Sequence, residues 1–261
     1  MGDPSLITLA LLIAAALFAG WIDAAVGGGG LVQLPALVVA FPQAVPVHLL
    51  ATNKLASFCG TSVSAATYAR RIRPDPATVI PLALAAFTGS CAGAFIASHI
   101  PKAAFNPIIL IALIAVGAYT LLKPDLGKVT QLRFDGRRHQ GAAVLLGLLI
   151  GCYDGVLGPG TGSFFVFALV GWVGYHFLQA TATTKIANGA TNLAALVVFT
   201  AQGAVHWKIG LMMGAANLVG GYFGSRTAMA RGSGFVRGLF VVVVGAFIIR
   251  IGWDVVAQLR G

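Results

Sequence analysis

Eight long apolar runs leave this chain little choice of solvent. They are Leu6 to Ala40, Val47 to Ala69, Thr78 to Ile100, Phe105 to Leu122, Ala142 to Val170, Ala180 to Ala201, Ile209 to Met229 and Phe235 to Val256. Each is long enough to cross a hydrocarbon layer about 30 Å thick, which takes roughly 20 helical residues. Only 9% of the chain is charged, against roughly 25% in an ordinary soluble domain, so a hydrated surface cannot be built around these runs. The formal charge is +10, and all seven acids are Asp. Such a balance can mark a nucleic-acid partner, but here the bases form short clusters between apolar runs, as in cytoplasmic membrane loops. A soluble enzyme, a disordered chain and a nucleic-acid module are excluded. The predicted fold class is an all-α integral membrane protein whose main partner is the lipid bilayer.

Six runs have the length of one helix, and the first and fifth do not. Each of those two is interrupted by glycine, at Gly27-Gly28-Gly29-Gly30 and at Gly158-Pro159-Gly160-Thr161-Gly162. Gly costs about 1 kcal/mol and Pro about 3 relative to Ala inside a helix, so both runs are expected to break there. The breaks also open an internal repeat. Gly20-Trp21-Ile22-Asp23 matches Gly151-Cys152-Tyr153-Asp154, Ala51-Thr52-Asn53-Lys54 matches Ala182-Thr183-Thr184-Lys185, and Gly89 and Gly93 match Gly220 and Gly224. All three blocks are 131 residues apart, so the chain reads as two homologous halves, each with one glycine-broken helix and three transmembrane helices. Residues 1–122 form the first repeat, 123–140 a basic cytoplasmic linker and 141–261 the second repeat.

Loop charge bears on how the halves are oriented. In the first half Arg70, Arg71 and Arg73 follow the second run and only Lys102 follows the third; in the second half only Lys208 follows the sixth run, while Arg226, Arg231 and Arg237 surround the end of the seventh. Equivalent loops therefore exchange their charge. If the broken runs dip in and return, the halves are inverted repeats and every basic cluster is cytoplasmic. If they cross, the halves are parallel, and the count of bases inside is the same. The inverted arrangement is preferred because no outer loop is then richer in bases than its inner neighbours.

Lys54 lies eight residues past Pro46, roughly 12 Å into a helix that starts there. An ionisable group at that depth costs at least about 2.5 kcal/mol on insertion scales and is functional or paired. Lys185 has the equivalent position in the second half. A structural ion pair, Lys54 with Asp23 or Lys185 with Asp154, is the plainer alternative. Lys54, Ser57, Thr61, Ser64 and Tyr68 share one helix face, as do Thr181, Lys185, Asn188 and Asn192, and in lipid such faces must look inward. Helices restarting after the glycine breaks offer N–H groups and a positive dipole end to an anion. The candidate substrate-binding set is Gly28, Gly29, Gly30, Thr52, Asn53, Lys54, Ser57, Gly160, Thr161, Gly162, Thr183, Thr184, Lys185, Asn188 and Asn192. Asp23 and Asp154 are candidate proton carriers or lysine partners, with protons as the coupling ion.

Other signals are negative. Cys59, Cys91 and Cys152 stand alone in apolar runs and read as small buried hydrophobes. His48, His99, His139, His176 and His206 fall at run ends without metal-ligand spacing, so no metal or other cofactor is expected. The absence of a GxxxxGK[ST] pattern argues against an ATP-driven pump. No basic side chain precedes Leu6, so the first apolar run is expected to remain as a helix and not to be removed as a signal peptide. Close packing is the expected role of Gly89-x-x-x-Gly93 and Gly220-x-x-x-Gly224.

The blocks Gly20-Trp-Ile-Asp-Ala-Ala-Val-Gly-Gly-Gly-Gly, Ala51-Thr-Asn-Lys and Tyr153-Asp-Gly-Val-Leu-Gly-Pro-Gly-Thr-Gly-Ser resemble the sulfite exporter TauE/SafE family of membrane permeases, over nearly the whole chain. The resemblance implies secondary transport of small sulfur-containing anions such as sulfite, sulfonates or sulfoacetate across a bacterial inner membrane. Asn53 stands beside the first lysine where Thr184 stands beside the second, so the halves need not contribute equally. A membrane-embedded enzyme, or an accessory subunit of a membrane complex, is the alternative. It is disfavoured because no paired carboxylates, nucleophile and base, or metal cluster is visible.

Overall fold

A computed structural model describes residues 4–97, 114 and 129–260. Among these residues all regular structure is helical: α1 (Leu6–Val26), α2 (Gly30–Ala40), α3 (Pro46–Ile72), α4 (Pro76–Ala97), α5 (Gly136–Val156), α6 (Thr161–Ala168), α7 (Phe177–Ala201) and α8 (Trp207–Arg260). The fourth apolar run, apart from Ile114, and the start of the linker lie outside the described residues. One boundary differs from the sequence reading: helix α5 begins at Gly136, inside the stretch expected to be linker. The seventh and eighth runs are two helical stretches of α8 that meet at a kink at Gly232, whose φ of 73° and ψ of −173° are not helical.

Local chemistry accounts for the breaks. Helix α1 ends on Gly27 in the left-handed conformation, with its N–H bonded to the Asp23 carbonyl, and α2 restarts three residues later. In the second half Gly158 and Gly160 both have positive φ, at 85° and 83°, on either side of Pro159; a side chain at either position would be strained. The remaining ends follow ordinary capping rules. Ser5 accepts the Thr8 N–H at the start of α1, Pro46 occupies the first turn of α3, and Asp75 accepts the Ala77 N–H ahead of Pro76.

Polarity is inside out. Phe18, Val39, Leu84, Phe95, Leu149, Val197, Leu211 and Phe223 are each more than half exposed, while Gln33, Asn53, Lys54, Asp154, Lys185, Asn188, Asn192 and Asn217 are buried. In water this would be an aggregation surface; in lipid it is the stable arrangement, with polar groups turned to one another. Helices α1 and α4 are by themselves long and apolar enough to cross a membrane. The three cysteines are free and half-buried, not fully buried as expected.

Glycine sets the helix contacts, as the GxxxG spacing predicts. Gly89 and Gly93 of α4 lie against the Leu148 and Cys152 carbonyls of α5, and Gly220 and Gly224 of α8 lie against the Leu17 and Trp21 carbonyls of α1, so a Cβ at any of the four would collide with backbone. These two interfaces are the same contact repeated 131 residues on with the halves exchanged: the first half's third helix packs on the second half's broken helix, and vice versa. Contacts advance together along both partners, so α4 runs parallel to α5 and α8 to α1. Helices α3 and α7 instead run antiparallel. His48 at the start of α3 bonds the Ala204 carbonyl just past the end of α7, Thr61 meets Asn192 at mid-length, and Tyr68 near the end of α3 shares a core cluster with Phe177 and Ala180 at the start of α7.

Candidate functional site

The two glycine breaks meet at the centre of the molecule. The Ser163 N–H donates to the Gly27 carbonyl (3.2 Å) and its hydroxyl to the Val26 carbonyl (3.0 Å), fastening the start of α6 to the end of α1. A Cβ on Gly27 would strike the Gly162 backbone, and one on Gly162 would strike Gly27. Close approach of two backbones is thus what glycine supplies at these positions.

Helix α3 carries Lys54 and helix α7 carries Lys185 to this crossing. The ion pairs that form are not those anticipated from the sequence, since each lysine takes its aspartate from the opposite half. Lys54 Nζ lies 2.5 Å from Asp154 Oδ2, and Lys185 Nζ lies 3.1 Å from Asp23 Oδ2 while also donating to the Asp23 carbonyl. Within one half, the aspartate ends a broken helix that packs against the other half's third helix, which places it beside the other half's lysine. Both pairs are deeply buried, although Asp23 keeps 14% of its side chain exposed against 2% for Asp154. Asp23 also accepts a weak bond from Thr61 (3.4 Å), and Thr61 in turn accepts one from its own repeat equivalent, Asn192.

Beside the pairs lies a small cavity, with about 20 Å³ open to the centre of a water molecule, room for roughly one. Asp23, Gly27, Gly30, Asn53, Lys54, Ser57, Asp154, Gly158, Gly160, Gly162, Asn188 and Asn192 line it. Ten of the seventeen anticipated site residues are among these twelve, namely the two aspartates, Gly30, Asn53, Lys54, Ser57, Gly160, Gly162, Asn188 and Asn192, and Gly27 and Gly158 complete the lining. Gly28, Gly29, Thr52, Thr161, Thr183, Thr184 and Lys185 are not in the lining. Lys185 is fully buried and reaches Asp23. Thr52 bonds the His48 carbonyl and receives the His206 N–H, and Thr161 bonds the Gly158 carbonyl.

The helix starts offer fewer donors than the sequence suggested. The N–H groups of Leu31, Val32 and Gln33 turn back onto the Gly28 and Gly29 carbonyls, and that of Thr161 onto Gly158. Two buried polar atoms are left without partners at repeat-equivalent positions, Asn53 Oδ1 and Thr184 Oγ1, each one residue before a lysine. Buried polar groups are ordinarily satisfied, so Asn53 Oδ1 on the cavity wall is left as an unused acceptor.

Sequence reasoning missed a polar chain under the cavity. Asn217 donates to Gln33 Oε1 at 2.5 Å, and Gln33 Nε2 donates to the Asn53 carbonyl at 3.3 Å. The signal was available, because Gln33 and Asn217 are single amides inside apolar runs, the same anomaly that exposed the lysines. Among the described residues no group of three or more His, Cys, Asp or Glu side chains converges as metal ligands.

Comparison with known proteins adds the following. The model of the family described as sulfite exporter TauE/SafE matches residues 12–251. A Sinorhizobium protein named "Probable membrane transporter protein ORF9" is 40% identical over all of this chain and 98% of its own length. The Escherichia coli K12 "Probable membrane transporter protein YfcA" is 34% identical over 94% of this chain and 90% of its own, and a Haemophilus influenzae "Probable membrane transporter protein" is 31% identical over 90% and 91%. No solved structure matches the chain.

Proposed function

The chain belongs to the sulfite exporter TauE/SafE family, and from that premise we propose that it is a secondary transporter of small sulfur-containing anions such as sulfite, sulfonates or sulfoacetate, spanning a bacterial inner membrane several times. The observation that carries this reading is the pair of buried lysines held by aspartates from opposite halves, beside a cavity at the meeting of two broken helices. An ammonium group at that depth is functional or paired, and a substrate anion that exchanges for the aspartate gives the pair a function. Lys54, Asn53, Ser57, Asn188 and Asn192 supply charge and hydrogen bonds to an oxyanion, and the glycines let it approach the backbone.

The halves act as inverted repeats in this reading. The antiparallel run of α3 and α7, and the exchanged packing of the broken and third helices, support that arrangement. It puts both chain ends outside and the basic linker in the cytoplasm. The cavity has room for about one water, and in this reading the halves rock about it to open it on either side. Export is the direction in which an inside-negative potential drives an uncompensated anion, by about 2.3 kcal/mol per charge per 100 mV. Sulfite and sulfonate flux into liposomes containing only the purified protein is the decisive experiment. Saturable flux supports the proposal; its absence for every sulfur oxyanion, with folded protein in the bilayer, would favour an enzyme or an accessory subunit.

A further inference from the structure

Asp154 already occupies the place of an anion. Its carboxylate lies 2.5 Å from Lys54 Nζ, in a close charge-assisted contact of the kind an oxyanion makes with an ammonium group. Among the described residues this carboxylate is the only partner of Lys54, and both groups line the cavity. Gly158 adjoins the ammonium, where a Cβ would stand 3.2 Å from Nζ. The other pair is built differently. Asp23 holds Lys185 through both its main-chain carbonyl and its carboxylate, so freeing that lysine means disturbing the last turn of α1.

From this asymmetry we infer that a substrate anion takes the seat of the Asp154 carboxylate on Lys54, and that it does so together with one proton, which Asp154 takes up from water as it lets go of the lysine. This rests on the transport reading above and names the coupling of that same site. An anion arriving beside an ionised Asp154 would put two like charges against one buried ammonium, and like charges sharing a site force a proton onto one of them. The protonated Asp154 is neutral and can donate its O–H to the anion that displaced it. The site then carries the same net charge before and after loading. No covalent bond is made or broken; one proton moves from solvent to carboxylate, and returns to solvent when the anion leaves.

The titratable surroundings of Asp154 are few. Lys54 faces it from α3, Tyr153 adjoins it on α5 with its hydroxyl turned to the Pro159 carbonyl, and Asp23 lies across the cavity with Lys185 bound to it. Helix α4 brings Cys91, whose thiol points to the Ala194 carbonyl of α7, and α6 brings no titratable side chain. Coupling has a directional consequence. An anion that travels with one compensating proton per charge no longer feels the membrane potential. Export then requires it to be about tenfold more concentrated inside for each pH unit by which the cytoplasm is the more alkaline side.

Methanesulfonate is the probe of choice, because it is a monoanion that carries no titratable proton of its own. Binding to the purified protein should weaken tenfold per pH unit on the alkaline limb, since proton and anion must strengthen one another's binding by the same factor. In liposomes holding a pH dye, each methanesulfonate should carry one proton. Asp154→Asn should abolish both the slope and the proton movement, while Asp75→Asn, in the turn before α4, should alter neither. The proton count in the unaltered protein keeps the test decisive even if Asp154→Asn fails to fold. Flat affinity across pH, or methanesulfonate flux without protons, would overturn the coupling and leave the transport reading intact. Absence of any sulfonate or sulfite binding and flux would overturn both.

Discussion

Replacing Lys54 with Met keeps the length of the side chain and deletes its charge. In the structure the loss falls on Asp154, a carboxylate 2% exposed with no other side-chain partner among the described residues. A buried charge stripped of its partner costs about 3 to 5 kcal/mol, whereas replacing both members of a buried pair by neutral groups is often neutral or even stabilising. Lys54→Met should therefore lose about 3 to 5 kcal/mol, and adding Asp154→Asn should recover most of it. Adding Asp23→Asn should not, because Asp23 belongs to the other pair. Lys185→Met should cost less than Lys54→Met, since Asp23 keeps Thr61 and some access to solvent. Reversible unfolding of the purified variants in one detergent, set out as a double-mutant cycle, measures all of these together. Rescue of Lys54→Met by Asp23→Asn in place of Asp154→Asn would refute the crossed pairing, and a Lys54→Met protein within about 1 kcal/mol of the parent would refute the burial argument.

Four other outcomes follow from particular contacts. Gly93→Ala should destabilise, because its Cβ would meet the Cys152 carbonyl, whereas Gly141→Ala, with open space around it inside α5, should gain about 1 kcal/mol of helix propensity; a thermal-shift comparison of the two in one preparation separates packing from propensity. Asn217→Leu should cost about 1 to 3 kcal/mol by leaving Gln33 unsatisfied, and the double change with Gln33→Leu should restore much of it on the same unfolding assay. Impermeant thiol labelling in a cysteine-free background should reach single cysteines at positions 71 and 208 from opposite sides; labelling of both from one side would sink the inverted arrangement. Burial lowers the proton affinity of His176, which caps α7 by accepting the Gln179 N–H outside the spans. The unfolded chain therefore binds the proton more readily, so stability should decline as pH falls below the ordinary histidine range and His176→Gln should flatten that decline.

The repeat, the two breaks and the inward-facing lysines were legible in the sequence because each breaks the rule of its surroundings: glycine runs where helix is required, charge where lipid is required, and a fixed spacing of 131 residues between them. Partner choice was not legible. Lys54 is closer in sequence to Asp23 than to Asp154, and nothing in spacing reveals that α5 packs on α4 and α1 on α8. Nor could the donors at the helix starts be counted, since whether Leu31 or Thr161 bonds a ligand or the preceding glycine depends on how tightly the first turn winds. Gln33 and Asn217 were visible as anomalies, yet only their contact gives them a role. Histidines that looked merely interfacial turn out to tie elements together, as His139 does with Thr78, which also bonds Tyr175.

Crossed pairing also constrains how the two halves can move. Each lysine is anchored in one half and its aspartate in the other, so any rocking that separates the halves must stretch both pairs. A separation of two buried opposite charges in a low-dielectric site is opposed strongly. Movement is therefore eased when a charge is removed or replaced before the halves part. A proton on Asp154 together with an anion on Lys54 relieves one of the two pairs, while Lys185 keeps its hold on Asp23. An Asp154→Asn protein, with the first of these two restraints gone, should pass anions without regard to pH.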